Sequence, residues 1–284
     1  MDQIVRCLAG GGLIRGFAAS TRLTVEDARR RHNTAPTVTA ALGRLLTAAS
    51  MMGSMMKSEG DVITLRITGD GPVGHITAIS DHLGRVRGYA AEPMADAPPR
   101  EDRKLPVKEI IGNGTISVTR ELALTTPFTG TCELMTGEVA EDLAYYFTMS
   151  EQTPSAVGLG VLMNKNNTVK RAGGFIIQLM PGADEETAAL LDERISSISS
   201  VTSMLDEGLG PKEILERIFD GLDCEFYEPT PVQFYCPCSR EKLLGIIRGL
   251  DRAEINAWIE EGRPIEAVCD YCSTSYEFDC EELK

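Results

Sequence analysis

Near the start of the chain the apolar positions come in short blocks, and the elements they predict are strands. Residues 4–8 and 13–18 read as two strands joined at Gly10-Gly11-Gly12. Thr24, with Asp27 three residues later, marks a helix start that continues through 28–31. A longer helix is predicted from Pro36, placed in its first turn, to about Lys57. Met51, Met52, Met55 and Met56 fall at helical spacing within it. They read first as core filling, with an adaptable binding surface as the alternative.

From 61 to about 128 the signals are strands and turns. Residues 62–67 alternate, Gly69-Asp70-Gly71-Pro72 is a turn, and 75–79 and 86–90 follow with Gly84 between them. The stretch 91–106 carries Pro93, Pro98, Pro99 and Pro106 among charges and reads as a loop. A helix is predicted over 137–149, with Glu138, Glu141 and Asp142 favourably placed against its dipole. Strands at 157–163 and 175–180 pair around a turn at 164–167. This order predicts an α+β fold, with a mixed strand and helix core domain over residues 1–180.

Pro181-Gly182 marks a boundary, beyond which Ala188, Leu191, Ile195, Ile198 and Leu205 outline one amphipathic helix. Its middle, residues 195–203, is almost wholly serine and β-branched. Such residues cost up to about 0.7 kcal/mol each relative to alanine, so this stretch carries a penalty of roughly 4 kcal/mol. The helix therefore depends on packing. Gly208 and Gly210 end it, and Pro211 opens a short helix over 212–219. Residues 181–232 are thus predicted to be a metastable helical linker, with a permanently docked helical hairpin as the alternative.

Composition narrows the function classes. The 284 residues are 43 % hydrophobic and 25 % charged, the profile of an ordinary globular protein. A net charge of -14 argues against gripping duplex nucleic acid. No run approaches the roughly 20 apolar residues that span a bilayer, and no secretory-signal pattern is expected at the start. The expected address is cytoplasmic, with no membrane partner. In that compartment eight cysteines point to metal or redox chemistry rather than to a disulfide framework.

Four of them carry the chemistry. Cys236-Pro237-Cys238 and Cys269-Asp270-Tyr271-Cys272 form C-x-C, a thirty-residue interval, then C-x-x-C. Each pair offers two sulfurs from one tight turn, as a tetrahedral thiolate site requires. Soft sulfur donors select one Zn²⁺ per chain, an iron–sulfur cluster being the competing reading. The segment 233–284 is small enough to need such a staple, which defines a small C-terminal zinc-binding domain. A permanent structural strut is the plain reading. A switch is the sharper one, because bound thiolates stay in the form oxidants attack, and a disulfide between cysteines one residue apart would be easily reduced. Cys7, Cys132 and Cys224 read as buried small apolar residues, and Cys280 receives no role.

The sequence resembles the heat-shock protein 33 family of redox-regulated bacterial holdase chaperones over nearly its whole length. The resemblance rests on Arg30-Arg31-His32 with the helix at 40–45, Gly69-Asp70-Gly71-Pro72-Val73-Gly74 and Val86-Arg87-Gly88-Tyr89. It rests also on Gly137-Glu138-Val139-Ala140-Glu141-Asp142, Ser150-Glu151-Gln152-Thr153-Pro154-Ser155 and Gln178-Leu179-Met180-Pro181-Gly182-Ala183. The spacing of Cys236, Cys238, Cys269 and Cys272 completes it. The resemblance implies an ATP-independent chaperone that is inactive when reduced and zinc-bound. It implies that oxidation pairs Cys269 with Cys272 and Cys236 with Cys238, with loss of zinc. The linker then loses structure, unfolding client proteins bind, and the active form is a homodimer.

Two rivals remain. For an enzyme, His75, Asp81 and His82 lie close in sequence, but no G-x-S-x-G or H-E-x-x-H accompanies them. The stretch 69–74 lacks the lysine of a phosphate loop, and four thiolates would leave no open position for a catalytic water. No catalytic residue is expected. The other rival is a zinc-ribbon protein with a purely structural metal and an RNA- or protein-binding role. From Cys236 to Lys284, six basic residues face eleven acidic ones, a net of -5 and the wrong sign for phosphates. Arg29-Arg30-Arg31-His32 reads as the cationic last turn of a helix.

Overall fold

Alternating positions in the first two strands point to opposite faces of one sheet, and both faces are covered. The computed structural model describes residues 1–101, 104–123, 126–262 and 264–283. Arg263 and Lys284, counted in the charge balance above, lie outside the described residues. The chain divides into two units, Met1–Phe234 and Tyr235–Lys284.

The first unit opens with β1 (Gln3–Ala9) and β2 (Ile14–Ser20), then α1 (Arg22–His32) and α2 (Pro36–Gly53). Next come β3 (Val62–Gly69), β4 (His75–Asp81), β5 (Val86–Ala90), α3 (Val107–Ile111), β6 (Gly114–Glu121) and β7 (Phe128–Glu133). They are followed by α4 (Ala140–Met149), β8 (Ser155–Met163) and β9 (Val169–Leu179). Three helices, α5 (Glu185–Ser197), α6 (Val201–Asp206) and α7 (Pro211–Ile218), precede β10 (Cys224–Phe226) and β11 (Thr230–Pro231). The fold is α+β, as the order of elements predicts.

Two antiparallel sheets result. One has the order β10-β1-β2-β9-β8, with β11 also paired to β1; the other runs β5-β4-β3-β6-β7. Helix α2 packs against strands of both. Accordingly it is buried almost all round, including Leu42, Leu45, Leu46, Met51 and Met52. Gly43 sits where a Cβ would lie 2.6 Å from Val25 Cγ1 and 2.9 Å from Val161 Cγ2, so only glycine lets α1 and β8 approach this closely. The methionines are core filling: Met51 and Met52 are buried, and Met55 and Met56, beyond the helix end, pack half-buried against the same core.

The first sheet is sandwiched. Ile4, Phe17, Ala19 and Ile176 face the α2 layer. Val5, Cys7, Ala18, Phe175 and Ile177 face a second layer built by Leu191, Met204, Leu205, Ile214, Leu215 and Phe219. Residues 181–232 thus contribute helices to one sheet face and two short strands to its edge.

Several boundaries differ from expectation. Helix α1 begins at Arg22, not Thr24, because Asp2 Oδ2 accepts from the Thr24 N–H at 2.7 Å and its hydroxyl at 2.8 Å. The carboxylate that satisfies this helix end comes from a residue far away in sequence. The long helix ends at Gly53, and α3, β7, β10 and β11 had no clear local signal. The single helix foreseen across 188–205 is two. Ile198 is extended (φ -77, ψ 151), and Ser200 restarts the chain by accepting from the Ser203 N–H at 3.3 Å. Serine hydroxyls compete for backbone donors, and here that competition breaks the helix.

Asp142 does more than complement a dipole. Fully buried, its Oδ1 accepts from the N–H groups of Met135 and Thr136 at 2.8 Å and Gly137 at 3.2 Å, and Oδ2 from Val139 at 3.0 Å. Val139 itself holds φ 68, a left-handed conformation costly for a β-branched residue. Asp142→Ala leaves these donors unmatched and is expected to destabilise the first unit by about 3 kcal/mol. A urea midpoint unchanged from wild type would show that the turn does not depend on this carboxylate.

The second unit contains α8 (Arg240–Arg248), α9 (Arg252–Glu261), β12 (Ile265–Val268) and β13 (Ser275–Phe278), the two strands forming an antiparallel hairpin. No helix among the described residues is long and apolar enough to cross a membrane.

Candidate metal centre

The hairpin and a helix start position the four predicted cysteines. Cys238 precedes Ser239, whose hydroxyl caps α8 by accepting from the Lys242 N–H at 3.3 Å. The Lys242 ammonium reaches back to the Pro237 carbonyl at 2.8 Å, closing the C-x-C turn. On the other side, Cys269 to Cys272 form the turn between β12 and β13. The N–H groups of Cys272 and Ser273 donate to the Cys269 carbonyl at 3.2 and 2.8 Å, and Ser273 adopts φ 54 to complete it.

This brings all four sulfurs together: Cys236, Cys238, Cys269 and Cys272 Sγ lie within 4.8 Å of one another. Contacts run between the pairs, Cys236 to Cys269 at 3.8 Å and Cys238 to Cys272 at 3.4 Å. A tetrahedral shell with metal–sulfur bonds of about 2.3 Å has sulfur–sulfur edges of about 3.8 Å. The donor set and spacing fit a four-coordinate cation of the zinc type. They leave no protein-free position in the shell.

Electrostatics lead to the same conclusion. Burial, with added repulsion from neighbouring sulfurs, pushes the Cys236 and Cys269 thiols up. At Cys272 burial acts in the same direction, but the hydroxyl and N–H of Thr274 and the adjoining thiols outweigh it and bring the group down to about 7. The Tyr276 hydroxyl, 3.3 Å from Cys238 Sγ, is pushed up to about 12, chiefly by that hydrogen bond. Four thiolates at this spacing repel one another, and only a cation among them makes the fully deprotonated cluster stable. Thr274 and Tyr276 were not anticipated. The turn itself brings them in, because Ser273 at φ 54 swings Thr274 back to Cys272 and starts the strand that carries Tyr276.

Little else holds this unit together. Among the described residues the buried side chains of its hydrophobic cluster are Ile247, Ile255 and Phe278, with Trp258 partly buried against them. Arg240 lies over the Phe278 ring, 4.7 Å from its centroid, and forms a double ion pair with Glu282 at 2.7 and 2.6 Å. Cys280 Sγ lies 3.7 Å from the Trp258 carbonyl, outside the sulfur cluster.

The other candidates do not converge. His75 and Asp81 occupy opposite ends of β4, about 20 Å apart at the rise of a strand. His75 packs edge-on against Tyr89, and burial lowers its pKa. Cys7 is buried as expected, whereas Cys132 and Cys224 are only half-buried because each lies on an edge strand. The cationic turn of α1 is paired within its own helix, Arg29 with Glu26 and both Arg30 and Arg31 with Asp27.

Comparison with known proteins gives one consistent picture. The family model described as Hsp33 protein matches residues 2–279. The 33 kDa chaperonin of Lachnoclostridium phytofermentans is 46 % identical over 100 % of this chain and 97 % of its own length. That of Bacillus subtilis is 45 % identical over 100 % and 97 %. The crystal structure of the 33 kDa chaperonin from Thermotoga maritima superposes with a TM-score of 0.91 at 36 % identity, covering 99 % of this chain and 96 % of that one.

Proposed function

This chain belongs to the Hsp33 family and is a chaperone, and on that footing we propose that it is an ATP-independent holdase switched on by oxidation of its four-cysteine centre. One observation supports this reading above the others. Four mutually close sulfurs sit in a unit whose hydrophobic cluster, among the described residues, has three buried side chains, so its fold hangs on ligands that oxidants can remove.

In the reduced state Cys236, Cys238, Cys269 and Cys272 would hold one zinc ion, which supplies the positive charge that keeps all four sulfurs deprotonated. Peroxide oxidises Cys269 and Cys272: two thiolates and one H₂O₂, with two protons, give a disulfide and two waters. Cys236 and Cys238, left with half a ligand shell, pair in a second such step. The unit from Tyr235 onward then loses its staple. The preceding Gln233 and Phe234 are pinned to β5, with the Val86 N–H donating to the Gln233 carbonyl at 3.0 Å. Residues 181–232, the metastable linker of the proposal, lift from the core domain 1–180 and bare the apolar sheet face. Unfolding proteins bind there. The same reading includes a cytoplasmic address, a homodimer in the oxidised state, and no nucleic-acid or membrane partner.

The test follows metal release, free thiols and Trp258 fluorescence during treatment with hydrogen peroxide at elevated temperature. The expected result is loss of four thiols, reversible by dithiothreitol, with aggregation of a denatured client suppressed only in the oxidised sample. Metal retained through oxidation, or suppression indifferent to redox state, would make the centre a strut and send the search for regulation elsewhere.

A further inference from the structure

A cavity of about 840 Å³ opens in the first unit. Its size lies within the 300–1,000 Å³ usual for small-molecule sites. Arg44 of α2, Arg100, Lys104, and Lys108 of α3 line it, against the carboxylates of Glu138 and Glu141. Among the described lining residues cations outnumber carboxylates four to two, in a chain whose net charge is -14. Glu138 is shared, receiving Arg44 at 2.8 Å and Arg100 at 2.6 Å. The Arg44 Nε is buried and has no acceptor among the described residues. The lining also includes the apolar Leu159 and Val161 of β8 and Val201 of α6, and the hydroxyls of Thr136, Ser200 and Thr202.

We propose that this cavity binds a phosphorylated small molecule with an apolar body, and that the occupant ties residues 200–202 to the core. Arginine forks and lysine ammonium groups are the side chains that best hold phosphate oxygens. The ligand's body would lie along β8 and the start of α6, touching both the sheet and a helix that covers it. A ligand of this kind binds only when α6 is docked. At a concentration of about 100 times its Kd, it lowers the undocked population about 100-fold. The regulatory consequence rests on the switch proposed above: the ligand would raise the oxidant dose needed for activation.

Binding is tested without oxidation, on the reduced, metal-loaded full chain, with inorganic pyrophosphate and then ADP as probes in isothermal titration. Saturable binding is expected for both, tighter for ADP because of its planar body. Lys104 and Lys108 are exposed, so the double variant K104Q/K108Q keeps its fold and is expected to bind pyrophosphate at least about tenfold more weakly. Hydrogen exchange should show added protection at residues 201–205 with ADP bound. No saturable binding, or binding untouched by the double variant, overturns the site. ADP binding no tighter than pyrophosphate overturns the apolar wall, and binding without added protection overturns the tie to α6. None of these failures touches the oxidation experiment, which contains no ligand.

Discussion

Cys272→Ser is expected to unfold residues 235–284 while the sheets of the first unit persist. Cys272 is the most buried of the four cysteines, 3 % exposed, and its thiol is brought down to about 7. A serine alcohol is not a soft donor and stays protonated at neutral pH, so the shell loses a ligand outright. Structural zinc contributes roughly 10–16 kcal/mol of apparent folding free energy in small domains. Burying Ile247, Ile255 and Phe278 contributes about 1.5–3 kcal/mol each, which falls short of that. The solvent-screened surface pair of Arg240 with Glu282 adds little. The measurable signs are a red-shifted Trp258 emission, collapse of amide dispersion for this unit and, on the proposed function, client protection without oxidant. A metal-free C272S that kept the Trp258 environment of the wild type would show that the small core suffices by itself.

Leu215→Asp is expected to release α7 from the sheet and produce a chaperone active in the reduced state. Leu215 is fully buried between α7 and the face formed by Val5, Cys7 and Ala18. The fit is close: a Cβ at Gly16 would lie 2.7 Å from Phe219 Cε2 and 3.0 Å from Leu215 Cδ2. Truncating a buried leucine costs about 2–5 kcal/mol even when nothing polar replaces it. A carboxylate there adds an unpaired buried charge, and release of a short surface helix is the least costly escape. The opposite face of the sheet packs on α2 through different residues, so the sheet itself survives. Reduced L215D should bind a hydrophobic dye and suppress aggregation with its metal still in place; Leu215→Ala should fall between it and wild type. If hydrogen exchange showed α7 released but the reduced variant stayed inactive, the sheet face under α7 would not be where clients bind.

Much of the architecture was legible because neighbouring residues carry it. Alternation at 62–67, the turn at 69–72 and the proline opening α2 each report on their own backbone. Strands β3, β4 and β5 and helix α2 follow from such local signals, whereas α3 and β7 do not. The misplacements share a cause. Thr24 with Asp27 three residues on reads as a helix start, but the carboxylate that satisfies this helix end is Asp2, ahead of β1. Periodicity alone predicts one helix across 188–205, but it ignores hydroxyls, and Ser200 caps a new helix of its own. Strands β10 and β11 are too short to show alternation, and exist as strands because β1 offers them an edge.

By itself the sequence determined the α+β class, the set of four soft donors and their division into two tight pairs, since composition and local spacing decide these. Only the tertiary structure decided that sulfurs meet across the pairs, Cys236 with Cys269 and Cys238 with Cys272, and that Thr274 and Tyr276 attend them. It alone decided that residues 185–219 cover one face of a sheet whose other face holds α2. The physical reason is distance along the chain. Backbone preference acts over a few residues, whereas the partner of a buried sulfur or a covered sheet face is fixed by packing between segments tens of residues apart.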